Sequence, residues 1–164
     1  MEQGIGREFC DRSRVLGNDR GGDGGAELAF GLTAGRDPLV RLLILFIGVH
    51  SLALGILMLF ATDYMLRITG FPGVRPIFFP SQTGIFLFIF GIFYLHTLRD
   101  FSFVKTILVS KSFAVVFLTV HAVFLSAPPI IWAACVVDGG MLVALSAALV
   151  RVRSAVAARR KPLS

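Results

Sequence analysis

The sequence predicts an all-α, polytopic membrane protein: an antiparallel four-helix transmembrane bundle behind a disordered-like N-terminal tail. Three observations carry the prediction. Of 164 residues, 55% are hydrophobic and only 16% charged, where an ordinary soluble domain carries roughly a quarter charged residues. The apolar residues fall into four blocks, each close to the roughly 20 residues that cross a hydrocarbon core. The formal net charge of +6 comes from bases gathered at the block ends, the placement favoured beside anionic headgroups. This balance excludes a disordered chain, a soluble enzyme with a usual charged surface and a nucleic-acid binder of the usual kind.

Segment 1–37 is rich in glycine and carries charges of both signs. Its composition offers too little apolar surface to offset chain entropy, so it is expected to be disordered unless a partner holds it. It lacks the uninterrupted apolar stretch of a secretory signal. Beyond Pro38 the domain 38–150 is expected to hold helices over 39–60, 77–98, 103–127 and 130–150, followed by a basic tail, 151–164. Lys105 and Lys111 interrupt the third block, which still spans if its lysines reach the headgroups by their long stems. None of the blocks shows the alternation of a barrel strand. Between the first two blocks, 61–76 suggests a short interfacial helix and a Phe71-Pro72-Gly73 turn.

Fourteen bases lie before, between and after the blocks on one side, against Arg67 and Arg75 on the other. The positive-inside rule therefore expects both termini in the cytoplasm, with the Pro128-Pro129 turn joining antiparallel neighbours. The basic run near the C-terminus reads as a helix end at an anionic leaflet and not as a nucleic-acid patch. Cys10 and Cys135 form no disulfide framework or zinc motif.

Polar residues inside the blocks are the informative ones, because each is costly in hydrocarbon. At 1.5 Å per residue, His50 lies about 15 Å from the outer end of its helix, His121 about 9 Å, Asp138 about 12 Å and Gln82 about 8 Å. One reading is a structural polar network of Gln82, His121 and Asp138 that fixes helix register, with His121 the expected partner of Asp138. A second is cofactor ligation, His50 and His121 holding a haem iron or a chlorophyll-like magnesium, with Asp138 orienting one imidazole. A third is a proton or ion pathway through Asp138. On the first helix Gly48, Ser51 and Gly55 lie nearly opposite His50; on the second, Gly84 and Gly91 share a stripe seven apart. Such small residues let helices approach closely. Catalytic motifs are lacking: neither a nucleophile elbow, a zinc-protease motif, a phosphate loop nor a carboxylate pair is present.

The Gly48…Gly55 pair, Gln82-Thr83-Gly84 and Gly91-x-x-Tyr94-Leu95 make residues 38–150 similar to the small bacterial DoxX-like membrane proteins. That resemblance implies an accessory role beside membrane oxidoreductases and assigns no ligand to any residue here. The expected function is a non-catalytic integral membrane subunit, an accessory or scaffold component of a larger redox or photosynthetic complex. Its partners would be other membrane subunits and the lipid bilayer. The alternatives are a cofactor-binding electron-transfer subunit and a small proton-coupled transporter.

Overall fold

The computed structural model describes residues 21–124 and 128–159. Six α-helices follow in order: α1 (Gly21–Ala34), α2 (Pro38–Phe60), α3 (Thr62–Ile68), α4 (Phe78–His96), α5 (Val104–Phe124) and α6 (Pro129–Arg159). A 3₁₀ turn, Phe101–Phe103, leads into α5. Four helices are long and apolar enough to cross a membrane: α2, α4, α5 with its 3₁₀ lead-in, and α6. The chain is thus a multi-pass, all-α membrane protein with an antiparallel four-helix bundle.

Local chemistry sets the helix ends. Pro38 occupies the first turn of α2, where its missing N–H costs nothing. Asp37 caps that helix, its Oδ1 accepting from Leu39 N at 3.0 Å and Val40 N at 3.1 Å. The expected short helix after the first span is α3. It closes in a Schellman motif: Gly70 adopts φ 86°, its N–H reaches Arg67 O, and Phe71 N donates to Leu66 O at 2.8 Å. Only glycine takes that left-handed conformation without cost.

The helices pair as two hairpins. In the first, α2 and α4 approach backbone to backbone. A methyl group added at Gly55 would stand 2.5 Å from Phe88 N, and one at Gly91 would stand 2.7 Å from Leu52 N. Gly84 is closed in the same way by Leu59 N, and Gly48 by the side chain of Leu95, whose Cδ2 would lie 2.7 Å away. The glycine faces seen in the sequence are therefore a seam inside the bundle. In the second hairpin α5 packs on α6, and α2 packs on α6 to join the two.

The core lies at the end of the bundle that carries the basic residues. Val40, Ile44 and Ile47 of α2 meet Tyr94, Ile107, Leu145 and Leu149 there. Toward the other end, α5 beyond Lys111 buries only Ala122, and α6 before Met141 buries nothing. The α5–α6 hairpin thus presents most of that half outward, as a lipid-facing surface does.

Two expectations change. The last helix runs to Arg159, nine residues past the expected 150, so at 31 residues it is about 46 Å long and overshoots a hydrocarbon core of about 30 Å. Residues 21–34, expected to be part of a disordered tail, form α1 instead. Ala34 is fully buried, Phe30 packs on the core, and α1 lies against α6 and the 3₁₀ turn. The overshooting end of α6 supplies the neighbouring surface that α1 needs, so tertiary packing overrides its poor glycine-rich helix propensity. The rest of the expected tail, residues 1–20, lies outside the described residues, as do 160–164 of the basic C-terminal segment.

Candidate functional site

The charged centre of the bundle is Lys111 on α5 against Asp138 on α6, with Nζ to Oδ1 at 2.5 Å. The two side chains are 7% and 18% exposed. Counted from the Thr119–Cys135 contact, Lys111 lies eight residues back along α5 and Asp138 three residues on along α6. Their axial offset is about 7.5 Å at the helical rise, a gap the four-carbon lysine stem and the Asp138 side chain span together. Either charge alone at this depth costs about 3 kcal/mol on insertion scales. Pairing cancels both, and it ties the two helices of the hairpin in one register.

A second polar contact joins the hairpins. Tyr94 Oη of α4 and Ser110 Oγ of α5 are 2.6 Å apart, and Ser110 also donates to Thr106 O at 2.7 Å. Tyr94 is buried, its ring stacked on Phe90 at 6.0 Å. Ser110 is adjacent in sequence to Lys111, so both clasps leave the same turn of α5. His50 of α2 has its ring stacked on Phe46 of the same helix at 6.3 Å. Thr119 and Cys135 add a 3.2 Å contact between α5 and α6. Near the opposite end, Thr62 Oγ1 meets Ser81 Oγ at 3.1 Å. At the basic end Arg151 Nη2 donates to Asp37 Oδ2 at 3.0 Å, tying α6 to the start of α2. Each neighbouring pair of spanning helices is thus held either by the glycine seam or by a polar clasp. Among the described residues no buried side-chain polar atom lacks a partner.

The expected polar network is only partly brought together. Asp138 faces protein, but its partner is Lys111 and not His121 or Gln82. The reason is reach: the four-carbon stem of Lys111 carries its ammonium to the Asp138 carboxylate. His121 turns to its own helix instead: Nδ1 donates to Phe117 O at 2.9 Å, and the ring lies 3.9 Å from that of Phe117. Gln82 makes no side-chain hydrogen bond among the described residues. His50 and His121, weighed as cofactor ligands, sit on α2 and α5, and the His121 ring is turned onto Phe117 of its own helix. Among the described residues no group of three or more His, Cys, Asp and Glu side chains is placed to hold a metal ion.

Lys111 and Tyr94 are the residues that sequence reasoning passed over. Lys111 was grouped with Lys105 as a lysine reaching for headgroups. Lys105, by contrast, is 78% exposed at its side chain and pairs with Glu27 of α1 at 2.8 Å. The signal for Lys111 was its distance of about 10 Å into the helix from Val104, together with one opposite charge on the next helix. Outside the membrane-crossing segments, the Lys105 ammonium holds the Glu27 carboxyl below its ordinary range. The Asp100 carboxyl is held low by the hydroxyl and N–H of Ser102, which it caps.

An apolar groove of about 570 Å³ runs between α4 and α5, with Phe90, Val109 and Phe113 on its walls and Ser110 in its lining. The Tyr94–Ser110 clasp therefore borders a surface open to lipid. Comparison of the chain with known protein families, curated proteins and solved structures finds no match.

Proposed function

We propose that this chain is a non-catalytic, multi-pass membrane subunit, an accessory or scaffold component of a larger membrane complex. The observation that carries the reading is the use made of the polar residues inside the bundle. Lys111, Asp138, Tyr94 and Ser110 are spent on each other across helix seams. Groups satisfied in this way fix register and helix partners, which is what a scaffold requires. The proposal includes a bacterial inner membrane, both termini in the cytoplasm by the asymmetry of bases, and the likeness to DoxX-like proteins.

A second reading, a small proton-coupled transporter, is favoured by one observation: Lys111 and Asp138 are ionisable groups deep in a membrane segment. Reconstituting the purified chain in liposomes with a trapped pH dye separates the two. The scaffold reading expects no proton flux above protein-free vesicles, with Asp138→Asn indistinguishable from the parent. A flux that Asp138→Asn abolishes overturns it in favour of the transporter.

A further inference from the structure

At the basic end a cavity of about 710 Å³ opens between α1, the start of α2 and the connection from α4 to α5. It is of the size that holds small-molecule ligands. Its cations come from four separate segments: Arg36 from the α1–α2 link, Arg41 from α2, Arg99 from the α4–α5 connection and Lys105 from α5. Glu27 and Asp100 are its two carboxylates. Glu27 is taken by Lys105, and Asp100 caps the 3₁₀ turn through Ser102 N. Among the described residues, none of the three arginines forms an ion pair with a carboxylate. The nearest polar atom that holds one is Gly35 O, 3.5 Å from Arg41 Nη1.

The other part of the lining is apolar. Leu28 and Leu32, one turn apart on α1, line the cavity and are 68% and 58% exposed. Arginines gathered beside exposed leucines, at the level where α2, α4 and α5 end, match a molecule with an anionic head and a hydrocarbon tail. Guanidinium forks take phosphate oxygens bidentately. Basic pockets at the ends of spanning helices suit anionic lipid headgroups.

We propose that this cavity is a binding site for an anionic phospholipid, its phosphate held by Arg36, Arg41 and Arg99 and an acyl chain laid along Leu28 and Leu32. The lipid would join α1 to the bundle beside the Glu27–Lys105 pair. The site stands on its own residues and does not rest on the scaffold reading.

The test is native mass spectrometry of the full chain in detergent, titrated with phosphatidylglycerol or with phosphatidylcholine. Phosphatidylglycerol is expected to stay bound under conditions that strip phosphatidylcholine. Each Arg→Gln change at 36, 41 and 99 should weaken phosphatidylglycerol binding about fivefold, and the triple variant about a hundredfold. The triple Arg→Lys variant, which keeps the charge and loses the guanidinium forks, should bind more tightly than the triple Arg→Gln variant and less tightly than the parent, and controls for misfolding of the Gln variant. Arg67→Gln, on the short helix at the other end, should bind as the parent does. Equal retention of the two lipids overturns the proposal, as does undiminished binding by the triple Arg→Gln variant. Displacement of the lipid by millimolar inorganic phosphate would show a soluble-anion site and overturn the lipid assignment.

Discussion

Replacing one member of the Lys111–Asp138 pair leaves a charge with no partner inside the bundle. In Asp138→Leu the Lys111 ammonium keeps its place at 7% side-chain exposure, with no other carboxylate among its hydrogen-bond partners. Breaking a buried pair from one side costs about 3–5 kcal/mol. A lysine stem can turn toward the headgroups, so the lower figure, about 3 kcal/mol, is expected here. Lys111→Met should cost a similar amount, because the Asp138 carboxylate must then protonate or stay unpaired. The double variant Lys111→Met/Asp138→Leu removes both charges and fills the space with apolar atoms. It should fall within about 1 kcal/mol of the parent, a coupling of about 5 kcal/mol between the two sites. Equilibrium unfolding in mixed micelles measures all four proteins, and the single tryptophan, Trp132 on α6, reports on the same hairpin. Single variants that each lose less than about 1 kcal/mol, or a double variant that loses the sum of the two, would refute the reasoning.

Three further predictions concern other joints. Gly55→Leu should prevent the α2–α4 seam from closing, since its Cβ meets backbone at 2.5 Å, whereas Gly140→Ala, with nothing within 4 Å, should leave folding in micelles unchanged. Asp37→Ala should cost about 1–2 kcal/mol in the same unfolding assay, because it removes the cap of α2 and the partner of Arg151. The Glu27–Lys105 pair should make the docking of α1 sensitive to acid. Its folded carboxyl titrates below the ordinary 4.5, so its contribution is present above that value and is lost as pH falls through the lowered one. Hydrogen exchange of α1 amides should therefore quicken in acid in the parent, and the Glu27→Gln variant should lack that step.

The four spans were legible because length and hydropathy alone decide what can cross a membrane, and 39–60 and 77–98 differ from α2 and α4 by at most two residues at an end. The Gly48, Gly55, Gly84 and Gly91 seam was legible as small residues at sevenfold spacing, but not its location, since spacing does not say which helix fills the gap. Helix α1 was not legible. Its glycines argue against a helix, and the surface that stabilises it belongs to a part of α6 expected to be tail. The Asp138 partner was missed for a geometric reason. A lysine was read by its type and not by its depth, and the His121 imidazole is spent on Phe117 O of its own helix. Tyr94 and Ser110 carried no signal, because a hydroxyl on one span finds another only through tertiary structure.

The central claim is that this chain works as a non-catalytic part of a larger membrane assembly. The most direct test is to extract it from its native membrane in polymer-bounded discs, through a tag at Ser164, and weigh the intact particle by native mass spectrometry. The account predicts a mass well above one 17.8 kDa chain with its lipid, and a second polypeptide in fixed ratio. A particle holding this chain and lipid alone would contradict it.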